Sequence, residues 1–426
     1  MELGFLVGLL VLLLVIGVPV AFALGLASLA TFVLLDIPLV VAFQRMAAGM
    51  NIFALMAIPF FVFAGDLMHR AGIAERLIRV ADSIFGRMRG GLGQVDVGAS
   101  MLFGAVSGSA IASVSAIGSS LGPMMKEKGY DPDYAVNVSV TSAITGLLIP
   151  PSHNMIIYAA AAGVSISLAD LFLAGIVPGL LTGVLLMIVA WIVAIRRGYP
   201  RGSFPGMRAF IAALAAAIPG LIAAAIIVVG VLSGVFTPTE SSGIAVIYTL
   251  IVAWFVYRSL PWDRFVLAMT GSVRTTAMVM IIIGAAAAFG WLLALLQAPA
   301  QLADLLKSIT ENPLLLLLLI NIVLLLLGTF MDMAPLIIIT TPIFLPMAQE
   351  LGMDPVQFGI MLLLNLGIGL VTPPVGSVLF VGCAVGDIPI ERTVKTIWPF
   401  YLAMVVALGL IIYVPALSLW LPSLLN

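Results

Sequence analysis

Charged residues are scarce in this chain. They account for 9% of its 426 residues, whereas 63% are hydrophobic and the mean hydropathy is +1.26. Such a composition supplies too little polar surface to cover a soluble globule of this size. Apolar stretches of membrane-spanning length recur from Leu3 to Leu421, so the first of them is not simply a removable signal peptide. We therefore predict a polytopic membrane protein.

Cysteine is almost absent as well. The one cysteine, Cys383, excludes an internal disulfide and any metal site built from a cysteine cluster, and it is most simply a small buried hydrophobic residue. The formal net charge is −1, and no block of basic residues occurs outside short loops. This charge pattern argues against nucleic acid as a partner.

What the chain does contain is an internal repeat. Residues 123–151 align without a gap to residues 346–374, at an offset of 346 − 123 = 223, and ten of the 29 positions match. Most matches are glycine, proline or acidic residues that begin or end helices, rather than apolar residues. Both copies end in Gly-x-x-x-Pro-Pro, at 146–151 and 369–374. Two helices interrupted at equal spacing are typical of duplicated transporter halves that bind their substrate at the breaks.

Ten apolar segments are predicted to cross the membrane. Two further apolar stretches, 92–125 and 313–348, are interrupted by small or helix-breaking residues and are predicted to be re-entrant hairpins. Their interruptions are Ser107-Gly108-Ser109 in the first, and Gly328-Thr329 followed by Pro335 in the second. The predicted crossings are 3–17, 19–36, 50–68, 131–162, 168–195, 208–232, 239–257, 275–296, 354–384 and 396–421. The first two could instead be one long, tilted helix.

The distribution of basic residues orients these crossings, because lysine and arginine accumulate on the cytoplasmic side. With the N-terminus outside, 16 of the 18 lysine and arginine residues lie in or next to cytoplasmic segments. Five crossings precede the linker around 198–206, and this odd number gives the second half the opposite orientation. We therefore predict two inverted repeats, 1–200 and 201–426.

Each predicted repeat combines scaffold helices with an amphipathic arm, a hairpin and a broken helix. In the first repeat these are arm 70–89, hairpin 92–125 and broken helix 131–162; in the second they are arm 298–312, hairpin 313–348 and broken helix 354–384. An amphipathic arm could lie in the headgroup region, or it could act as a lever between a moving hairpin and a fixed scaffold.

The hairpin tips and helix breaks carry the chemistry. Prolines such as Pro150 remove amide donors and leave the preceding carbonyls without helical partners, so these carbonyls could coordinate a cation. The helix that resumes at Ser152 to Asn154 presents amide donors to a carboxylate. Hydroxyl groups of the first tip suit a hard cation such as sodium. The second half repeats the pattern with Gly369, Thr372 and Ser377.

Two ionisable residues stand out near these elements. Asp332 aligns with Ser109 at the 223-residue offset, and an acidic group at membrane depth is usually functional. His153 follows the first Pro-Pro pair and could carry a proton or simply cap the resumed helix. Ser107 with His153 is also the one pair that an intramembrane hydrolase could use, although His153 has no counterpart in the second copy.

The order of hairpin, Asp-Pro and Gly-x-x-x-Pro-Pro, repeated with opposite topology, resembles a known family. Together with Ala57-Ile58-Pro59-Phe60-Phe61 and Phe236-Thr237-Pro238-Thr239-Glu240, it is similar to the large membrane subunit of tripartite ATP-independent periplasmic (TRAP) transporters over essentially the whole chain. The resemblance implies an all-α, elevator-type ion transporter fold in the bacterial inner membrane. It implies sodium-driven uptake of an organic anion, usually a carboxylate such as a C4-dicarboxylate or sialic acid, with sodium as coupling ion and no cofactor.

The resemblance also implies partners and a site. The partners are a small four-helix membrane subunit and a periplasmic binding protein that delivers the substrate. A self-sufficient sodium- or proton-coupled carboxylate transporter is the alternative. The implied sodium ligands are Ser107, Ser109, Gly146 and Pro150 for one ion, and Gly328, Thr329, Gly369 and Thr372 for the other. The implied substrate-binding residues are Ser109, Ser113, Ser152, Asn154, Asp332 and Ser377.

Overall fold

The computed structural model describes residues 2–202, 204–310 and 312–424. Within these ranges the chain is helical and has no strand, apart from an isolated antiparallel bridge between Arg89 and Arg201. The prediction of an all-helical membrane protein is confirmed.

The N-terminal region consists of separate, mostly short helices. The chain turns at Gly17, and α1 packs along α2, so the two are not one long helix. The 3-10 turn Phe53–Met56 precedes α4, and α5 occupies most of the predicted first arm. The bounds are α1 Glu2–Val15, α2 Val20–Leu34, α3 Leu39–Met50, α4 Ala57–Arg70 and α5 Ile73–Phe85.

The next helices span the residues predicted as the first hairpin and the first broken helix. The hairpin turns at Gly108, and its second arm contains a π-helical turn over Val114–Gly118, which the sequence does not predict. The broken helix bends by 53° at residues 149–152, where the Pro150–Pro151 bond is cis. The bounds are α6 Gly91–Ser107, α7 Ala110–Ser113, α8 Ser119–Glu127, α9 Pro132–Ser142, α10 Thr145–Leu148 and α11 His153–Ala161.

Long helices fill the middle of the chain. Their bounds are α12 Leu168–Arg196, α13 Met207–Leu232, α14 Pro238–Ile251 with a π-helical turn over Val252–Val256, and α15 Trp262–Leu295. A shorter helix, α16 Ala298–Ile309, occupies the predicted second arm at 298–312, of which Glu311 lies outside the described residues.

The remaining helices include the predicted second hairpin and second broken helix. The chain between the two halves of that broken helix, 371–376, contains a cis bond at Pro373–Pro374, as in the first. The bounds are α17 Pro313–Gly328, α18 Met333–Glu350, α19 Pro355–Leu370, α20 Ser377–Gly386, α21 Ile390–Thr396, α22 Trp398–Tyr413 and α23 Ala416–Ser423.

The number of spanning helices differs from the ten predicted crossings. By length and composition, six helices in the described ranges can cross a membrane, or up to eight if each of two bent pairs counts as one span. The segments predicted at 3–17, 19–36 and 354–384 form helices of 14, 15, 16 and 10 residues. These are shorter than the roughly 20 residues of a straight crossing. Conversely, α18 in the predicted second hairpin has 18 residues and passes the length criterion.

Two predicted crossings also have different boundaries. The segment predicted at 275–296 belongs to α15, which follows Pro261 and has 34 residues. Arg264 and Arg274 interrupt the apolar pattern of this helix, which is why the sequence places its start too late. The segment predicted at 396–421 begins at a bend of 60° between α21 and α22, and it is divided by a break before α23.

The helices pack mainly in two groups. Helices α1–α4 pack with α13–α15, and we call residues 2–70 and 207–295 the scaffold group. Helices α6–α12 pack with α17–α23, and we call residues 91–196 and 313–423 the hairpin group. Helices α5 and α16 lie between the groups in the chain and contact helices of both. Each half of the chain therefore contributes to both groups.

The broken helices lie at the centre of the hairpin group. Every residue from Asp133 to Ser142 in α9, and every residue from Gln357 to Leu370 in α19, is buried. A helix that is enclosed on all sides is a core helix rather than a surface helix. The Tyr158 hydroxyl on α11 also donates to the Pro355 carbonyl at 2.5 Å, which ties the first broken helix to the second.

Tyr401 anchors the second break in the same way. Its hydroxyl donates to the Val371 carbonyl at 2.5 Å, and the side chain is buried. Tyr401→Phe leaves that carbonyl without this donor, which costs about 1–3 kcal/mol for a buried group. We expect a lower thermal unfolding temperature for the purified protein. Tyr413→Phe is the matched control, because the Tyr413 hydroxyl bonds to Leu314 at an exposed position and its loss should leave the transition unchanged.

Candidate functional site

A cavity of about 350 Å³ lies between the two groups of helices. Both hairpin tips, both broken helices and the scaffold helices α4 and α15 contribute to its wall. The polar and charged residues that line it are Asp66, Ser107, Ser109, His153, Asn154, Thr275 and Asp332. Segments that are far apart in sequence therefore meet around one cavity, of a size typical of small-molecule sites.

Each hairpin tip rests directly on one helix break. At the first, a Cβ added to Gly108 would lie 3.0 Å from the Pro151 carbonyl oxygen. At the second, the Thr329 carbonyl accepts hydrogen bonds from the amides of Val375 at 3.2 Å and Gly376 at 3.3 Å. A movement of either tip therefore changes the surroundings of the break beneath it.

Glycines allow the hairpin arms to approach the broken helices at backbone distance. A Cβ built on Gly146 would lie 2.6 Å from the Cα of Gly104, and one built on Gly369 would lie 2.6 Å from the Cα of Gly328. Side chains do not pack this closely, and backbone cannot yield as a flexible side chain does. Gly146 and Gly369, which align in the sequence repeat, therefore have the same packing role in the two halves.

The carbonyls before the prolines accept different hydrogen bonds in the two breaks. Residue 150, four positions after Gly146, is proline and has no amide to donate to the Gly146 carbonyl. In the second break, the Gly369 carbonyl accepts a hydrogen bond from the Thr372 amide at 2.9 Å, and the Thr372 hydroxyl donates to the Ile368 carbonyl at 2.7 Å. The Val371 amide also donates to the Ile368 carbonyl at 3.2 Å, so both lone pairs of that oxygen are used.

Three predicted substrate-binding hydroxyls lie beside the cavity rather than in its wall. Ser113, Ser152 and Ser377 are not among the lining residues. Within the part of the chain that the structure describes, each of these hydroxyl oxygens is buried and lacks a hydrogen-bond partner. Buried hydroxyls are normally satisfied, so three unpaired ones around the tips and breaks are unusual.

Of the other predicted site residues, the structure brings several together in the cavity wall. Ser107, Ser109, Asn154 and Asp332 all line it. The Ser109 hydroxyl accepts a hydrogen bond from the Ala112 amide at 3.3 Å and so caps the helix after the tip. Asp332 begins α18 but its carboxylate does not cap that helix, which leaves the carboxylate oxygens available to the cavity.

No motif in the sequence points to the scaffold side of the cavity. Val62, Gly65 and Asp66 line it from α4, while Thr275, Met278 and Val279 line it from α15. Both sets have the spacing i, i+3, i+4, which places them on one face of a helix. The available signal was Asp66, an acidic residue inside a predicted crossing. The Ser272 hydroxyl lies 3.4 Å from the Oδ2 atom of Asp66.

Comparison with known proteins identifies the family. The model of the tripartite ATP-independent periplasmic transporter, DctM component, matches residues 7–417. This chain belongs to the DctM family. The resemblance noted in the sequence is thereby confirmed, and this DctM-family chain is a multi-pass protein of the inner membrane.

Relatives of this DctM-family chain match over nearly their whole length. The protein YgiK of Salmonella typhimurium, described as uncharacterized, is 44% identical over 416 residues, or 97% of this chain and 95% of YgiK. The sialic acid TRAP transporter large permease protein SiaM of Vibrio cholerae is 38% identical over 413 residues, or 97% of this chain and 96% of SiaM.

A solved structure supports the fold of the DctM-family chain. The crystal structure of the YdaH transporter of Alcanivorax borkumensis aligns with a TM-score of 0.61 and 16% sequence identity, covering 87% of each chain. The relatives with assigned roles are permeases, so this chain is a transport protein and not an enzyme. The hydrolase hypothesis built on Ser107 and His153 is therefore wrong.

Proposed function

We propose that this chain takes up an organic acid by sodium-coupled secondary transport. In this proposal, a periplasmic binding protein delivers the acid, and a small four-helix membrane subunit completes the transporter. The observation that carries the proposal is the cavity of about 350 Å³, to which both hairpin tips and both helix breaks contribute. The family description as a component of a tripartite transporter supports the partners.

Two sodium ions would bind where the tips rest on the breaks. The first would use oxygens of Ser107, Ser109, Gly146 and the chain at Pro150, and the second would use Gly328, Thr329, Gly369 and Thr372. These ligands are hydroxyl and carbonyl oxygens, which suit a hard cation. The close backbone contacts at Gly146 and Gly369 support the proposal, since they bring oxygens of two segments together.

The lining of the cavity narrows the class of organic acid. The lining residues, all of which lie within the described ranges, include the carboxylates of Asp66 and Asp332 but no lysine or arginine. An ionised carboxylate accepts hydrogen bonds and repels a second carboxylate. We therefore expect an acid with one carboxylate and additional hydroxyl or ammonium groups. Amides at the start of α11 and the hydroxyl groups of the first tip would receive the single carboxylate.

The proposed movement is an elevator displacement of the hairpin group against the scaffold group. Small side chains at their boundary support it, because they interdigitate little. A second cavity, of about 170 Å³, lies there between α3, α11, α15 and α18. Its lining includes Gly49, Ala160, Ala161, Ala286, Ala287 and Gly290. The arms α5 and α16 would link the two groups during the movement.

The topology within the membrane is part of the same proposal. The N-terminus would be periplasmic, and residues 1–200 and 201–426 would be inverted repeats. The similar tip, break and glycine contact in each half support a repeat.

The test is uptake into proteoliposomes that contain this chain and its small subunit. A panel of labelled mono- and dicarboxylates is assayed with and without a sodium gradient and with and without binding protein. We expect uptake of a hydroxy or amino monocarboxylate that requires both. Sodium- or proton-driven uptake without binding protein would support the self-sufficient transporter instead. Uptake that is indifferent to sodium would contradict the proposed coupling.

A further inference from the structure

A second polar cluster is buried inside the hairpin group, away from the cavity. Asp96 on α6 is 0% exposed and faces α9. Its Oδ1 atom accepts hydrogen bonds from the hydroxyls of Ser142 at 2.9 Å and Ser100 at 3.4 Å, and its Oδ2 atom accepts one from Ser139. Asp96 precedes Ser107 of the first tip by eleven residues, or about 16 Å along a helix. Ser142 precedes Gly146 by four residues, or about 6 Å along a helix, so the cluster lies next to the first proposed tip site but further from the tip.

No basic side chain compensates the charge of Asp96. In the described ranges, the ion pairs of the hairpin group join Asp131 and Asp133 to Arg197 and Arg392, and none includes Asp96. A buried carboxylate without a counter-charge is costly inside a membrane protein. Three neutral hydroxyls lower this cost but do not cancel the charge of an ionised carboxylate.

The cluster has more acceptor oxygens than protons. The Ser142 hydroxyl oxygen lies 2.9 Å from Asp96, 3.0 Å from the Ser100 hydroxyl and 3.2 Å from the Ser139 carbonyl. One hydroxyl has a single proton and cannot donate to all three oxygens at once. The Ser139 carbonyl also accepts from the Ala143 amide at 3.2 Å, so the hydroxyl protons can turn away from it, and the side-chain oxygens of the cluster are ligands of the type that a hard cation prefers.

The second half of the chain fills the comparable space with a neutral pair. Asn365, which aligns with Ser142 at the 223-residue offset, lies on α19 and donates to the side-chain oxygen of Asn321 at 2.8 Å and to its carbonyl at 2.9 Å. Asn321 in turn donates to the Leu317 carbonyl at 2.8 Å. Side-chain amide groups thus link the hairpin helix α17 to the broken helix α19 without any charge. The carboxylate in the first half is therefore not needed to join the two elements.

A separate cavity of about 390 Å³ reaches this cluster. Ser139 lines it, and so do residues from the second arm of the first hairpin and from the end of α20. The π-helical turn over Val114–Gly118 forms part of the wall, and such turns are frequent at functional sites. The charged residues lining this cavity are Lys126, Asp387 and Arg392, of which Arg392 is 3.9 Å from Asp133. Of the four cluster residues, Ser139 is the one that lines this cavity.

We propose that Asp96, Ser100, Ser139 and Ser142 bind one sodium ion, in addition to the ions at the hairpin tips. The carboxylate and three hydroxyls supply five oxygens, and the Ser139 carbonyl is adjacent. One carboxylate among neutral oxygens balances a monovalent charge, whereas calcium sites combine several carboxylates. The bound ion cross-links α6 to α9 and neutralises Asp96.

The test is equilibrium binding of radioactive sodium to the purified full-length chain in detergent. Asp96→Asn keeps the shape of the side chain and removes its charge, and we expect it to bind one sodium ion fewer per chain than the unmodified protein. Asp387→Asn, which alters the lining of the same cavity, is the matched control and should bind the same number. The measurement uses neither substrate nor partner, so its result is independent of the proposed uptake function.

A second pair of variants guards against misfolding. Ser139→Ala and Ser142→Ala retain the carboxylate, and we expect each to weaken the binding of this one ion by about tenfold or more. If Asp96→Asn does not fold, unchanged sodium affinity in both serine variants overturns the proposal. If folded Asp96→Asn binds as many sodium ions as the unmodified protein, the proposal is also overturned. A loss of proton uptake in this variant would then show that the carboxylate binds a proton instead.

Discussion

Gly369→Ala should reduce substrate uptake by about 10- to 100-fold. The added Cβ would lie 2.5 Å from the carbonyl carbon and 2.6 Å from the Cα of Gly328, so the hairpin arm must move away from the broken helix. Overpacking of this kind costs about 1–3 kcal/mol, or roughly 5- to 150-fold in the population of the closed tip, and the expected loss of uptake lies within that range. The same displacement separates Thr329 from the amides of Val375 and Gly376. Gly146→Ala should have a similar effect on the first tip.

The measurement is the initial rate of uptake at equal amounts of membrane-inserted protein. Gly409→Ala is the matched control, because Gly409 also lies within a helix and a Cβ there would meet no atom within 4 Å. The control should transport within about twofold of the unmodified chain, since it disturbs no packing. Normal uptake by Gly369→Ala would mean that tip and break need not be in close contact.

Asp66→Asn should change which acids the cavity accepts. The carboxylate of Asp66 lines the cavity from α4, and that of Asp332 lines it from the second hairpin tip. We expect uptake of a hydroxy or amino monocarboxylate to fall by about tenfold or more, because a strong acceptor for its donor groups is lost. Uptake of a dicarboxylate of similar size should rise, because one source of like-charge repulsion is removed.

Competition by unlabelled acids against a labelled substrate gives the ratio of monocarboxylate uptake to dicarboxylate uptake. Asp36→Asn serves as the control, since Asp36 does not line the cavity and asparagine tolerates its positive φ of 55°. The selectivity of this control should equal that of the unmodified protein. An unaltered ratio in Asp66→Asn would exclude this residue from substrate selection.

The sequence was informative wherever a rule of backbone chemistry applies. Gly108 and the Pro150–Pro151 and Pro373–Pro374 pairs interrupt helices for local steric reasons, so the tip and both breaks were predictable residue by residue. Span boundaries were less predictable. Arg264 and Arg274 masked the first turns of α15, and hydropathy alone cannot distinguish the short helices α1 and α2 from full crossings.

The scaffold wall of the cavity was hidden for a different reason. Asp66 and Thr275 are separated by more than 200 residues and meet only through packing between helices, which no local pattern encodes. The same holds for the Asp96 cluster, because Ser139 and Ser142 join it from α9. Single acidic residues inside apolar helices were the available signal at both places, and their partners became apparent only from the fold.

The cavity wall is shared between the two helix groups, and this has a consequence for the energetics of transport. Under the proposed movement, α4 and α15 stay behind while the tips and breaks travel. The substrate would then lose its contacts with the carboxylate of Asp66 and the face of α15 during the movement. Its affinity for the protein would therefore differ between the start and the end of the movement. In this proposal the scaffold group would set the difference in substrate affinity between the two end states of the movement.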